Sequence, residues 1–177
     1  LWTSEDATRK LLESSVGKKQ SIMLQHGRTA ELIKEDGDEE DTESRVHKFR
    51  ITTETPDRHG DIVRATGGEF KHYMNNPVVL FAHDAWMPPI GTTKKLMPRT
   101  KFVDAWVDFF DKDTYDFADT IFRIISAGGL KAVSIGFIPH EWEKIQDDSE
   151  NGEEQSFKGY DSTKGALPEF SVVPVPA

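Results

Sequence analysis

Serine, histidine and carboxylate side chains stand in this chain at the margins of apolar runs, where a rigid strand can present a side chain to a cleft. His83 closes the run Val78-Val79-Leu80-Phe81, Ser134 lies inside Ala132-Val133-Ser134-Ile135-Gly136-Phe137, and Glu169 opens Phe170-Ser171-Val172-Val173. A serine hydroxyl attacks a carbonyl only when a base removes its proton, and an imidazole does this best when a carboxylate holds its other nitrogen. Glu169 is the candidate for that third role, with Asp57, Asp61 and Asp84 as competitors. Each residue alone has a plainer reading: a histidine bonded to backbone at a strand end, a serine satisfied within a sheet, a solvated glutamate. The serine segment is not a Gly-x-Ser-x-Gly elbow, because Ala132 holds the first glycine position. Gly136 omits a side chain where another group can approach.

The chain contains no cysteine, which removes thiolate nucleophiles, thiolate metal sites and disulfides together. His59, His83 and Asp84 do not fall at a zinc-ligating spacing such as His-x-x-x-His, so neither a metal nor another cofactor is expected. The four tryptophans, Trp2, Trp86, Trp106 and Trp142, read as packing residues.

The elements that must position these groups are mainly short strands. Val46, Phe49 and Ile51 begin the β-like pattern, and Pro56-Asp57-Arg58-His59-Gly60 is a turn by composition. Phe70 to Met74 reads as a short helix, Val78 to Phe81 as a buried strand, and further strands are expected from Ile90, from Phe102 to Phe109 and from Leu130 to Ile138. Phe117, Ile121, Ile124 and Ile125 recur at helical spacing, which predicts one main helix around 113–128, capped by Asp113 and ended by Gly128-Gly129. Gln146 to Gln155 reads as an exposed polar loop, and Phe170 to Val175 as a final strand. About six to eight strands without alternating helices exclude a Rossmann or α/β-hydrolase sheet. A mainly β fold is expected instead, a mostly antiparallel barrel-like sheet with flanking helices.

Charge and composition bound the partners. A formal net charge of -9 opposes binding to nucleic-acid phosphates. No run approaches the roughly 18 apolar residues that cross a bilayer, and no signal-peptide pattern opens the chain, so a soluble protein with no membrane partner is expected. Residues 1–45 lack sustained periodicity and contain the acidic run Glu35-Asp36-Gly37-Asp38-Glu39-Glu40-Asp41, which predicts a flexible N-terminal extension ahead of a catalytic domain over 46–177.

Three segments, in order, resemble the prohead maturation proteases of tailed bacteriophages, a family related in fold to the herpesvirus assemblins. They are Asp57-Arg58-His59-Gly60-Asp61-Ile62-Val63; Asn76-Pro77-Val78-Val79-Leu80-Phe81-Ala82-His83-Asp84 followed by Pro89-Ile90-Gly91; and Leu130-Lys131-Ala132-Val133-Ser134-Ile135-Gly136-Phe137. The close, Leu167-Pro168-Glu169-Phe170-Ser171-Val172-Val173-Pro174-Val175-Pro176-Ala177, is similar to the family's Glu-x-Ser-x-Val-x-x-Pro-Ala pattern. The resemblance implies an assemblin-like β barrel and a serine endopeptidase with His83 as base and Ser134 as nucleophile. It implies action on scaffold protein and major capsid protein precursors, and on the protease itself, inside assembling proheads in the host bacterial cytoplasm. Self-association is left open by the assemblin likeness. A non-catalytic scaffold or capsid-assembly module on the same fold is the alternative. For the third catalytic member, a separate strand can aim Glu169 at the His83 ring across the sheet, whereas Asp84 follows His83 directly and points to the other face if the strand continues.

Overall fold

Along Phe102–Phe109 every second residue, Val103, Ala105, Val107 and Phe109, is at most 2% exposed, the period of a strand with one face on a core. The same logic builds the whole molecule. The computed structural model describes residues 24–29, 44–57, 60–146 and 157–175. Among them are nine strands: β1 Leu24–Thr29, β2 Val46–Thr53, β3 Ile62–Val63, β4 Gly68–Glu69, β5 Val78–Phe81, β6 Gly91–Pro98, β7 Phe102–Phe109, β8 Ala132–Gln146 and β9 Phe157–Val173. The order β1-β8-β9-β5-β6-β7-β2 forms a nearly closed, barrel-like mixed sheet. The expected β class holds, and the strand number rises because β3 and β4 are two-residue pairings on β9.

β9 organises this sheet. One edge pairs antiparallel with β8 along almost its whole length. The other edge takes β3, β4 and β5 in turn, all parallel. The barrel interior is filled by Phe49, Val79, Val107, Val133, Ile135, Phe137, Phe170 and Val172, joined in one cluster. Rings cross it, with Phe49 and Phe170 at a centroid distance of 6.2 Å.

One α-helix, α1 (Asp116–Ser126), buries Ala118, Ile121 and Ile125 against this core. It is shorter than the expected 113–128. Asp113 does not cap it: the capping position is Tyr115, which makes no side-chain cap bond, while Asp111 Oδ1 accepts the Thr114 N–H at 2.7 Å in a turn just upstream. The stop is as expected. Gly128 has φ +77°, and the N–H groups of Gly128 and Gly129 donate to the carbonyls of Ile125 and Ile124 at 2.8 Å each, the paired bonds of a Schellman ending.

Other boundaries moved. The helix expected over 70–74 is a 3-10 turn at Tyr73–Asn75. The last strand starts at Phe157 rather than Phe170, because β8 and β9 form one long hairpin. The polar loop predicted at its tip lies, beyond Gln146, outside the described residues. So does most of the 1–45 segment, but β1 falls within it and pairs with β8.

Phe170 is fully buried at the centre of the core. Phe170→Ala should lower unfolding free energy by about 3–5 kcal/mol, read as a fall in the urea midpoint. An unchanged midpoint would mean that β9 does not anchor the barrel.

Candidate active site

Pairing between β8 and β9 sets the site. Ser134 lies opposite Ser171, and Gly136 opposite Glu169.

 The core-facing residues of β8 and β9 are Val133, Ile135, Phe137, Phe170 and Val172, so Ser134, Gly136, Glu169 and Ser171 share the opposite face. A β-bulge follows at once: Gly136 pairs with Glu169 but Ile138 with Ala166, which puts one extra residue on β9 around Leu167-Pro168. A bulge re-aims the neighbouring side chain, and a proline without an N–H suits that position.

His83 comes to this face from β5. It is not part of an extended strand. Ala82 and His83 have φ of 53° and 60°, and the Asp84 N–H donates to the Phe81 carbonyl at 3.0 Å, which makes residues 81–84 a tight left-handed turn. Two consecutive non-glycine residues in this region are uncommon and strained. The turn is tied to β9 by the Ala82 N–H, which donates to the Val172 carbonyl at 2.8 Å, and by the His83 N–H, which donates to Ser171 Oγ at 3.2 Å.

From this turn the imidazole meets Glu169, with His83 Nδ1 2.7 Å from Glu169 Oε1. An ionised carboxylate only accepts, so this contact suits the tautomer in which Nδ1 carries the proton and Nε2 keeps its lone pair. The two side chains are 17% and 13% exposed, sheltered enough that solvent screens the pair only in part. The carboxylate lies directly over Gly136: a Cβ at that position would fall 2.6 Å from Glu169 Oε1. Gly136 and Ser134, two residues apart, share one face of β8. Ser134 is itself buried, at 2% exposure, and on the other edge of β8 it faces Gly27 of β1.

The competing carboxylates are occupied elsewhere. Asp84 Oδ1 accepts the Trp86 N–H at 2.9 Å. Asp57 Oδ1 accepts the Asp61 N–H at 3.0 Å, and Asp61 Oδ1 accepts the Tyr160 N–H at 2.8 Å, so this motif fastens its turn to β9. His59 lies outside the described residues. Among the described residues no cluster of His, Asp and Glu has the form of a metal site, and no helix is long and apolar enough to cross a membrane. Tyr73 senses the carboxylate from within the barrel: its phenol is pushed up to about 12, chiefly by burial, with the Glu169 charge adding and a hydrogen bond from Thr93 opposing.

Two features were missed in the sequence. Ser171, which touches both His83 and Glu169, is separated from Glu169 by one residue, the spacing that puts two side chains on one strand face. The left-handed turn had no such signal, since neither Ala82 nor His83 is a residue type that marks it.

No family model matches the chain, and no solved structure matches it. A prohead protease of Escherichia phage T5 is 32% identical over 117 residues, an alignment covering 60% of this chain and 53% of that protein. This chain is similar to a phage prohead protease. It spans about half the length of the relative.

The position of Glu169 over Gly136 is open to a direct test. Gly136→Ala should cost about 1–3 kcal/mol through the forced contact. Glu169→Asp draws the carboxylate back by one methylene, so the double variant should be more stable than the sum of the single losses predicts, by about 0.5 kcal/mol or more in urea unfolding. Strict additivity would mean that the two residues do not meet.

Proposed function

We propose that this chain is a prohead maturation protease that works as a serine endopeptidase, with Ser134 as nucleophile, His83 as general base and Glu169 as the carboxylate that orients the imidazole. The observation that carries the reading is the 2.7 Å contact between His83 Nδ1 and Glu169 Oε1, with that carboxylate lying over Gly136 of the strand that bears Ser134. The likeness to the phage T5 prohead protease supports the choice of a peptide bond as the target.

In this mechanism Nε2 of His83 takes the proton of Ser134 as Oγ attacks the scissile carbonyl. The ring becomes an imidazolium, and the Glu169 carboxylate stabilises that charge through Nδ1. The imidazolium then protonates the leaving amine, and the same base activates the water that releases the acyl group from Ser134. Glu169 stays ionised throughout. Backbone N–H groups have to receive the oxyanion of the tetrahedral intermediate. At 2% exposure Ser134 also has to be uncovered before a polypeptide reaches it.

The substrates proposed are scaffold protein and major capsid protein precursors, and the protease itself, cleaved within assembling proheads in the host bacterial cytoplasm. A purified chain incubated with a capsid precursor tests this on a gel. The wild type should produce discrete fragments and Ser134→Ala none, with the far-UV spectrum unchanged, because the substitution removes the nucleophile at almost constant volume. Glu169→Gln should lower turnover by roughly 10²–10⁴-fold, since a neutral amide stabilises the imidazolium less and favours the wrong tautomer. Cleavage by Ser134→Ala at the wild-type rate would overturn the assignment.

A further inference from the structure

We infer that Ser171 is a positioning residue of this site, one that holds both the carboxylate and the backbone of the histidine in working geometry; this rests on the catalytic reading above. Its hydroxyl donates to Glu169 Oε2 at 2.7 Å and accepts the His83 N–H at 3.2 Å. One hydroxyl therefore touches two of the three proposed catalytic residues, and its register partner on β8 is the third, Ser134.

Each contact does something the others cannot. Glu169 has two oxygens, and its side chain can rotate so that either faces the ring. The Ser171 proton fixes Oε2, which leaves Oε1 aimed at His83 Nδ1 at 2.7 Å. The His83 N–H has left the β5 ladder, because the chain turns into the left-handed region at φ 53° and 60°. Ser171 Oγ gives that N–H its acceptor, so the same atom that orients the carboxylate also supports the strained backbone from which the imidazole projects.

Burial makes the arrangement hard to replace. Ser171 is 0% exposed, so bulk water does not stand in for its hydroxyl. Removing that hydroxyl leaves an N–H and a carboxylate oxygen without this partner in a sheltered place. The same geometry separates the two buried serines of the site. The proton of Ser171 is committed to Glu169 and not to the imidazole, so Ser171 orients and does not attack.

A residue that acts through Glu169 has a signature that a merely structural residue lacks. Ser171→Ala should lower kcat roughly 10–100-fold with KM within about 2-fold, the size of loss that follows a small misplacement of reacting groups. In a Glu169→Gln background the same substitution should cost less than about 3-fold, because members of one unit do not lose additively. Ser171→Cys, close in shape and a weaker hydrogen-bonding group, should fall between wild type and Ser171→Ala; it carries the same comparison if the alanine variant does not fold. An active wild type with Ser171→Ala at full rate, or the full loss repeated in the Glu169→Gln background, overturns the role of Ser171 alone. A folded wild type that cleaves no capsid precursor and does not react at Ser134 overturns the catalytic reading and this role with it.

Discussion

The site depends on an absent side chain. Glu169 can lay its carboxylate across β8 only because residue 136 is a glycine; a Cβ there would meet Oε1 at 2.6 Å and the Glu169 Cγ at 3.0 Å. From that position the carboxylate reaches His83 Nδ1 at 2.7 Å. The register of β8 on β9 therefore fixes the candidate site as well as the sheet: a slip of one residue would turn Ser134 and Glu169 into the core and Val133 and Phe170 out of it. The buried faces of both strands oppose such a slip, since Val133 and Phe170 are fully buried.

The second constraint is the turn at residues 81–84. A left-handed residue other than glycine costs on the order of 1–3 kcal/mol, and here two stand in a row. Bonds to Phe81, Val172 and Ser171 hold them in place. An extended continuation of β5 would send alternate side chains to opposite faces of the sheet. The turn frees His83 from that alternation and lets its ring meet Glu169 of β9. Asp84, next in sequence, is used within the loop to accept the Trp86 N–H.

Much of this fold was legible because strands with one buried face announce themselves by alternation, as in Val103, Ala105, Val107 and Phe109. The glycine pair that ends α1 was readable for the same kind of reason, a residue type tied to one backbone geometry. The start of α1 was not, since Asp111, Asp113 and Asp116 crowd the same few residues and sequence alone does not say which of them meets a free N–H. The full length of β9 was hidden by Gly159, Gly165 and Pro168, which read as breaks but sit within a paired strand. At the site, Glu169 was legible as a carboxylate on a strand separate from that of His83, though it lies within β9 and does not open it, and its Oε1 stands 2.7 Å from His83 Nδ1. The reason for excluding Asp84 was different from the one expected: the chain turns at His83 rather than running on extended. The bond that unites Ser171 with His83 depends on a tertiary approach between residues far apart in sequence, and no local pattern encodes it.

In the proposed mechanism an imidazole held by Glu169 activates Ser134. A fluorophosphonate probe reacts with a serine whose proton is taken by a base, and it needs no protein-sized groove. Labelling of the purified chain, with the adduct located by peptide mass spectrometry, measures that activation at a named atom. The expected result is an adduct on Ser134 that disappears in His83→Ala. A folded chain that stays unlabelled, or carries its adduct on Ser171 or another residue, would contradict it.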